Sequence, residues 1–460
     1  MIRNFTDKLV ILLGLSLLST MFQLEATDKA PNIVVLLADD LGNADLGYRG
    51  SDISTPNIDA LAKEGVRLED FYGLPVCTPA RAALMTGRYP MRQGLQTLVI
   101  FPSHTYGLPT DEETLAQALK NAGYQTALVG KWHLGHADKK YWPQNRGFDS
   151  FDGNLVGEVD YFTKERGGVI DWQRDGKFFK EEGYYTDLVG NEAVRIIENH
   201  NSSKPLLLYV TFLSPHAPYQ APKKYLDLYK DKIQDTFRQA YAAMITAMDD
   251  QVGRIVKELK DKNMFSNTIF FFSSDNGGAT NALFATGARS PEERESNPDE
   301  LAMGQKPPAS NGVFRGGKGS LYEGGVRVPT FITWVGKLKP AVIDVPMQHV
   351  DLMPTLLYLA GAKAHGKPLD GLNMWPVLTG DQKVLHDSIL INVEPFRGAV
   401  RKGKWKLIKI ALLPGKTELY DLSKDPGEKN NVAAQHPEIV RDLEEILNDY
   451  AKQQKQSEWL

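Results

Sequence analysis

The stretch "NIVVLLADD", residues 32–40, joins an apolar run to two aspartates. Its apolar part has the length and the aliphatic content of a strand that is buried on both faces, which is typical of parallel sheets. Three further runs have the same form, namely "QTALVGKWH" (125–133), "PLLLYVTFLSPH" (205–216) and "TIFFFSSDNG" (268–277). Because helical patterns separate these strands, the sequence predicts an α/β fold with a mainly parallel sheet.

The helical patterns and a later change of texture predict the domain organisation. "TDEETLAQALKNAGY" begins with a predicted capping box of Thr110 and Glu113, and "DTFRQAYAAMITAMDDQVGRIVKELK" repeats apolar residues at helical spacing. Towards the end, "RGAVRKGKWKLI" and "TELYDLSKDP" predict an antiparallel sheet, followed by a helix at 437–455. We therefore expect an α/β domain over residues 27–381 and a smaller α+β domain over residues 382–460.

The first 26 residues predict export. The basic "MIRNFTDK" and the apolar "LVILLGLSLLSTMF" have the layout of a cleavable secretory signal over residues 1–26. A membrane anchor is the alternative, but the apolar part is shorter than the roughly 20 residues that a spanning helix needs. No cysteine directly follows the apolar part, which argues against a lipoprotein. We expect a periplasmic or secreted protein without stable membrane insertion.

The formal net charge of −4 arises from interspersed acidic and basic residues. Such a balance does not indicate a nucleic acid or a membrane surface as a partner. An anionic substrate would therefore have to be bound by local basic residues.

Cys77 is the only cysteine of 460 residues, so it cannot form an internal disulfide. An unpaired cysteine is either a buried small hydrophobe or a reactive or modified residue. In "CTPAR", Thr78 as an N-cap and Pro79 at the first helical position predict a short helix up to Gly87. A helix N-terminus favours anions, and Arg81 lies one turn further on. A thiolate there would be activated, so a cysteine hydrolase stays an open alternative.

Each of the four apolar runs ends in residues with chemically capable side chains. Ligands of open α/β sheets bind beyond the carboxyl ends of the strands. We therefore expect one site to contain Asp39, Asp40, Lys131, His133, His216, Asp275 and Asn276.

The acidic members of this set predict a metal site, although a helix cap or an ion pair would also explain two adjacent aspartates. Asp39, Asp40, Asp275 and Asn276 offer only oxygen ligands, which suit Ca²⁺ or Mg²⁺. An all-protein set in an exported chain favours Ca²⁺.

The basic members predict an anionic substrate. Lys131 and His133 lie two residues apart, His216 lies in "SPHAP", and Lys318 lies in the glycine-rich "RGGKGSLYEGG". Basic groups that converge on one metal suit a tetrahedral anion with an alcohol leaving group.

Together these motifs resemble the sulfatase family. "CTPAR" resembles its modification signature, and "LLADDLG", "TGRYP", "GKWHLG", "SPHAP", "SDNGG" and "GGKGSLYEGGVRVP" resemble its other blocks in the same order. The resemblance runs from residue 31 to about residue 430. "LPVCTPARAALMTGRYPMRQGLQ" and "GFDSFDGNLVGEVDYF" are similar to the arylsulfatase B (N-acetylgalactosamine-4-sulfatase) branch and its bacterial members, some of which act on carrageenans.

The resemblance implies an alkaline-phosphatase-like fold and two cofactors. A maturation enzyme would convert Cys77 to formylglycine, although Ala80 stands where many members have serine. One Ca²⁺ per chain would be bound by Asp39, Asp40, residue 77, Asp275 and Asn276.

The resemblance also implies a role for each basic residue. Arg81 and Lys131 would hold the hydrated aldehyde, of which one hydroxyl attacks sulfur and the other later releases sulfate with the help of His133. Lys318 and His216 would bind the sulfate, together with Lys131, and protonate the departing oxygen.

The implied substrate is a 4-sulfated, galacto-configured sugar of carrageenan or of chondroitin or dermatan sulfate. A phosphodiesterase or phosphonate monoester hydrolase of the same superfamily is the main alternative, and a non-catalytic glycan-binding relative is another. We expect the polar loop 278–312, with Arg289, Glu292, Glu293 and Arg294, to influence the choice of substrate.

Overall fold

The computed structural model, which describes residues 29–281, 307–411 and 414–460, has a ten-stranded mixed sheet as its core. The predicted signal (1–26) and most of the predicted loop, including Arg289, Glu292, Glu293 and Arg294, lie outside the described residues. In spatial order the strands are β13 (Ala341–Ile343), β2 (Val66–Leu68), β12 (Thr330–Thr333), β11 (Thr268–Ser274), β1 (Asn32–Ala38), β10 (Leu206–Thr211), β4 (Gln125–Lys131), β5 (Ser150–Asn154), β8 (Gln173–Arg174) and β9 (Lys177–Phe178).

The four apolar runs form the centre of this sheet. β11, β1, β10 and β4 are parallel neighbours, and Val35 of β1 is paired with Tyr209 on one side and Phe271 on the other. Every residue of β1, β10 and β11 is buried, which explains why these runs are apolar throughout instead of alternating. The predicted α/β fold with a mainly parallel sheet is confirmed.

Helices cover the sheet, and no helix among the described residues is long and apolar enough to cross a bilayer. They are α1 (Pro56–Glu64), α2 (Cys77–Thr86), α3 (Leu115–Asn121), α4 (Tyr185–Glu198), α5 (Lys223–Leu226), α6 (Thr236–Asp261), α7 (Glu323–Val326), α8 (Leu352–Leu359), α9 (Trp375–Leu378) and α10 (Pro437–Ala451).

Two of the predicted helix starts are wrong by a few residues. The capping box of α3 is formed by Thr114 and Gln117, because the carboxylate of Glu113 accepts hydrogen bonds from the backbone of residues 365 and 366 instead. α2 begins at Cys77, and the hydroxyl of Thr78 donates to the carbonyl of His133 instead of capping the helix.

A second sheet and α10 occupy the C-terminal part. Its antiparallel strands are β15 (Ile389–Val393), β16 (Arg397–Lys402), β17 (Trp405–Ile410) and β18 (Lys416–Asp421), as the sequence predicted. The described residues between 31 and 460 form one compact unit, in which Leu443 and Leu447 of α10 belong to the same apolar cluster as Ala80 and Ala83 of α2. The boundary at residue 382 stays a prediction.

Two short two-stranded ladders lie outside the large sheets. One joins β3 (Phe71–Tyr72) to β14 (Met347–Gln348), and the other joins β6 (Glu165–Arg166) to β7 (Val169–Ile170).

A buried ion cluster links the second sheet to the segment that contains Lys318. Lys406 on β17 lies 2.8 Å from the carboxylate of Glu323 and 2.9 Å from that of Glu428, and all three side chains are fully buried. Glu428 also accepts a 2.6 Å hydrogen bond from the backbone N–H of Glu323, the first residue of α7. The C-terminal sheet therefore determines where the glycine-rich segment before α7 ends.

Replacing Lys406 by methionine should destabilise the fold far more than a nearby lysine replacement. Lys406→Met leaves two carboxylates buried without their shared cation, so we expect a loss of about 3–5 kcal/mol in the free energy of unfolding. Lys409→Met on the same strand removes only a partly exposed pair with Glu444 and should cost about 0–1 kcal/mol. Guanidinium denaturation measures both values. Equal losses would contradict the importance of the buried cluster.

Candidate active site

The ends of three neighbouring strands bring their polar residues to one edge of the sheet. After β1 the backbone N–H of Asp39 donates to the carbonyl of Ser214, and after β11 the N–H of Asp275 donates to that of Ala38, both at 3.1 Å. Asp40 then has a φ of +61°, a left-handed turn that aspartate tolerates. The turn ends the strand and leaves two successive carboxylates at the same edge.

Asp39 lies at the centre of the cluster and is fully buried. One of its oxygens lies 3.4 Å from the Cys77 sulfur, and the other accepts from Nζ of Lys131 and lies 3.3 Å from Nη2 of Arg81. Burial alone would raise the pKa of Asp39, but neighbouring positive charges, above all that of Lys131 and also that of Arg81, hold it below its ordinary value. Asp39 is therefore an ionised carboxylate beside residue 77.

Asp40 contacts both a predicted metal ligand, Asn276, and a predicted sulfate-binding residue, Lys318. Its Oδ1 accepts a 2.7 Å hydrogen bond from the amide of Asn276, and its Oδ2 accepts a 2.8 Å hydrogen bond from Nζ of Lys318. The Nε2 atom of His216 lies 3.6 Å from the same Oδ2. Lys318, which is distant in the chain, thus lies beside the end of β1.

Arg81 ties α2 to two strand ends. Its Nε and Nη2 atoms lie 3.1 and 3.0 Å from Oδ2 of Asp275, and its Nη1 donates to the carbonyl of Lys131 at 3.0 Å. Burial would lower the pKa of Arg81, but Asp275 and Asp39 raise it above its ordinary value, so the charge is permanent. Because Arg81 lies on the same helix as Cys77, these contacts fix residue 77 relative to the strands.

The two histidines occupy different environments. Nε2 of His133 lies 3.1 Å from the carbonyl of Ile100, and burial together with the Lys131 and Arg81 charges lowers its pKa well below the ordinary value. His133 is also packed against Gly157, where a Cβ atom would lie 2.5 Å from the ring. His216 donates from Nδ1 to the carbonyl of Ala217 at 2.5 Å, and its other ring nitrogen, Nε2, faces Asp40.

Two further titratable groups, Glu158 and His349, lie at or near this cluster without having been predicted from the sequence. Glu158 lies 3.8 Å from Nδ1 of His216 and forms a 3.0 Å ion pair with Arg166. His349 is buried 3.4 Å from the hydroxyl of Ser273, and burial lowers its pKa to about 3. Neither residue follows one of the four apolar runs, so the strand-end pattern could not select them.

The donor set fits a hard divalent cation. Potential ligand atoms of Asp39, Asp40, Cys77 and His216 all lie within 4.8 Å of one another, whereas Asp275 and Asn276 border this group. The Oδ1 atom of Asn276 is buried and has no hydrogen-bond partner among the described residues, which is costly unless a cation binds it. Carboxylate and amide oxygens are the ligands that Ca²⁺ and Mg²⁺ prefer.

The environment of Cys77 disfavours a thiolate. The side chain is 1% exposed, and burial followed by the Asp39 charge raises the pKa of the thiol well above its ordinary value. The activation that the helix N-terminus suggested is therefore outweighed, which argues against a plain cysteine hydrolase.

Comparison with known proteins identifies close similarities over most of the chain. Residues 31–362 match the family model "Sulfatase", and residues 312–453 match "N-sulphoglucosamine sulphohydrolase, C-terminal". Arylsulfatase J of Mus musculus is 32% identical over 93% of this chain and 77% of its own length. N-acetylgalactosamine-6-sulfatase of Mus musculus is 34% identical over 81% of this chain and 70% of its own.

The fold is similar to that of solved structures. The crystal structure of Ps i-CgsB in complex with k-i-k-neocarrahexaose is 32% identical, covers 94% of this chain and 95% of its own, and has a TM-score of 0.81. Together with the ten-stranded sheet and the small antiparallel sheet, this similarity confirms the expected alkaline-phosphatase-like architecture.

Unmodified Cys77 should react slowly with thiol reagents in the native protein. In EDTA-treated protein at pH 8, burial and the raised pKa keep the thiol protonated and inaccessible, so iodoacetamide should label the denatured chain far faster than the native one. Mass spectrometry of the peptide containing residue 77 measures the labelled fraction, with free cysteine as the reactivity control. Equal rates for native and denatured protein would contradict the buried site.

Proposed function

Because the chain belongs to the sulfatase family, we propose that its substrate is a sulfated carbohydrate and that it removes the 4-sulfate of a galacto-configured sugar. The enzyme is a sulfuric ester hydrolase by family. The proposal adds the sugar, for which carrageenan and chondroitin or dermatan sulfate are the candidates. The sugar is supported by relatives named N-acetylgalactosamine-6-sulfatase and by one relative bound to a neocarrahexaose, whereas the 4-position rests on the sequence resemblance alone.

One observation carries the proposal, namely the position of residue 77 between carboxylates and cations. Cys77 begins α2 and contacts Asp39, which itself contacts both Lys131 and Arg81. Lys318 approaches the same cluster through Asp40. Such an arrangement can hold a tetrahedral anion at residue 77 in surroundings with little water, where electrostatic interactions are strong.

Two cofactors, a modified residue 77 and one Ca²⁺, belong to the proposed mechanism. Conversion of Cys77 to formylglycine by a maturation enzyme would supply a hydrated aldehyde as the nucleophile. Asp39, Asp40, Asp275 and Asn276 would hold one Ca²⁺, whose charge would stabilise the anionic oxygens in the reaction.

The remaining side chains have roles in binding and proton transfer. Arg81 and Lys131 orient residue 77, and Lys131, Lys318 and His216 bind the sulfate oxygens. The Nε2 atom of His216 and the ammonium of Lys318 are the proton donors available to the departing sugar oxygen. His133 donates from Nε2 to the carbonyl of Ile100, so its Nδ1, which has no hydrogen-bond partner among the described residues, would accept a proton when sulfate is released.

We also propose that the protein is exported, on the basis of the predicted signal over residues 1–26. The mature chain would act in the periplasm or outside the cell, where sulfated polysaccharides occur as extracellular material. Neither a nucleic acid nor a membrane is a partner in this proposal.

A sulfate-release panel tests the proposed substrate. Protein coexpressed with a formylglycine-generating enzyme is incubated with carrageenan oligosaccharides, chondroitin 4- and 6-sulfate disaccharides and matched phosphate esters, and free sulfate or phosphate is measured by ion chromatography. We expect release from 4-sulfated galacto sugars. Release only from 6-sulfated sugars would refute the assigned position, and preferred release of phosphate would favour the phosphodiesterase alternative.

Replacing Lys318 should impair turnover beyond any loss of stability, which the thermal midpoint of the variant measures. Lys318→Ala removes one cation at the anion site, so we expect kcat/KM for the sulfate ester that wild type hydrolyses to fall by about 10²–10³-fold. Lys339→Ala, which removes an exposed lysine, is the matched control and should leave kcat/KM unchanged. An equal effect of the two substitutions would exclude Lys318 from the site.

Removal of the metal should affect both stability and turnover. We expect EDTA to lower the thermal midpoint and abolish sulfate release, and Ca²⁺ to restore both, because Ca²⁺ at 100 times its Kd stabilises by about 2.7 kcal/mol. Asn276→Ala should weaken the Ca²⁺-dependent thermal shift, whereas Asn199→Ala, at an exposed position, should not. A thermal midpoint that does not respond to Ca²⁺ would contradict the metal assignment.

A further inference from the structure

The turn between β15 and β16 contacts the segment that contains Lys318. Nη1 of Arg397 donates to the carbonyl of Gly319 at 2.6 Å, and the N–H of Gly319 donates to the carbonyl of Pro75 at 2.7 Å. Gly319 follows Lys318 directly, and Pro75 lies two residues before Cys77. The guanidinium of Arg397 is therefore separated from the residue 77 segment by a single glycine.

Strand β15, directly before the turn, contacts the segment that leads to Ile100. The amide of Asn392 donates to the carbonyl of Gln96 at 3.0 Å and to the carboxylate of Glu394 at 2.9 Å. Gln96 lies four residues before Ile100, whose carbonyl lies 3.1 Å from the His133 ring. The hairpin of β15 and β16 thus contacts both the segment after Lys318 and the segment that leads to Ile100.

Two side chains of the turn are accessible to solvent. The N–H of Glu394 donates to the carbonyl of Arg397 at 2.8 Å, which places Pro395 and Phe396 at the tip of the hairpin. Phe396 is 40% exposed and the Arg397 side chain is 26% exposed, whereas the Glu394 side chain is almost buried. An aromatic ring and part of an arginine side chain are therefore accessible in a turn whose arginine contacts Gly319, the residue after Lys318.

The chemistry of Phe396 and Arg397 favours an uncharged polar ligand over an anion in addition to the sulfate group. Arg397 donates Nε to Glu394 at 3.0 Å and Nη2 at 2.9 Å, so Glu394 balances its charge. With the bond to Gly319, the contacts among the described residues use three of the five guanidinium N–H groups, and two remain for a ligand. A charge-balanced donor next to an aromatic ring suits the hydroxyl groups and the C–H face of a pyranose.

We propose that the turn of residues 394–397 is a sugar-binding subsite. Arg397 donates hydrogen bonds to hydroxyl oxygens of the saccharide that carries the scissile sulfate, and Phe396 packs against a pyranose face. The inference rests on the proposed function, because it requires a carbohydrate substrate. It assigns part of the substrate selection to the C-terminal sheet, in addition to the loop that the sequence suggested.

Two substitutions test the subsite without removing the buried ion pair. Arg397→Lys keeps a positive charge beside Glu394 but loses the planar fork, and Phe396→Ala removes only the exposed ring. Arg195→Lys is the matched control for the first, because Arg195 also pairs with a glutamate three residues earlier, and Phe178→Ala, at another exposed phenylalanine, is the control for the second. Thermal midpoints of all four variants check folding.

The expected effect is confined to binding of the saccharide. With the carrageenan oligosaccharide or chondroitin 4-sulfate disaccharide that wild type hydrolyses, each test variant should raise KM by about 3- to 10-fold at nearly unchanged kcat. Inhibition of the same reaction by inorganic sulfate, which binds only at the anion site, should stay within about 2-fold of wild type. Both control variants should match wild type.

Other results would overturn the subsite. Weaker inhibition by inorganic sulfate in parallel with the loss of kcat/KM would mean that Arg397 acts only by holding Gly319 and Lys318 in place. An unchanged KM in both test variants would exclude the turn from substrate binding while leaving the proposed function intact. Wild type that hydrolyses 4-nitrophenyl sulfate but none of the saccharides would instead overturn the carbohydrate proposal, and the subsite with it.

Discussion

The balance of buried charges at the carboxyl edge of the central strands is the constraint on which the rest of the structure depends. Asp39 is fully buried, and an isolated carboxylate in such a place would be protonated or would destabilise the fold by several kcal/mol. Lys131 and Arg81 compensate its charge, and Arg81 also compensates that of Asp275. Because Arg81 lies on α2, the position of residue 77 follows from the pairing that makes the buried carboxylates tolerable.

The second sheet extends this constraint to Lys318. The cation of the fully buried Lys406 fixes Glu323 at the start of α7, and Arg397 bonds the backbone beside Lys318. Lys318 lies in a glycine-rich segment, which has few side-chain contacts of its own and needs external support to hold one conformation. The C-terminal sheet supplies this support, so one compact unit, and not the large sheet alone, positions the anion-binding groups.

Local sequence predicted the strands and their polar ends, but it could not predict pairs that depend on distant packing. Buried parallel strands leave a strong signal, and the residues after β1, β4, β10 and β11 were identified from it. The predicted start of α3 is wrong because "TDEE" and "TLAQ" both fit a capping box. Glu113 cannot serve as the capping residue of the first motif because its carboxylate accepts a hydrogen bond from the backbone about 250 positions later. The pairing of Glu394 with Arg397 is local, yet its position beside Gly319 depends on how the two sheets pack.

The charge balance gives the proposed metal a role in substrate binding. Among the described residues, the three carboxylates of Asp39, Asp40 and Asp275 contact three cations, namely Lys131, Arg81 and Lys318. Such a balanced cluster exerts little net attraction on an anionic ester, in keeping with a chain whose overall charge is weakly negative. A divalent cation held by the carboxylate and amide oxygens, as proposed above, would add positive charge to the site and share the carboxylates with the lysines. The ammonium groups of Lys131 and Lys318 would then be available to sulfate oxygens, and metal binding would be coupled to substrate binding through Asp39 and Asp40.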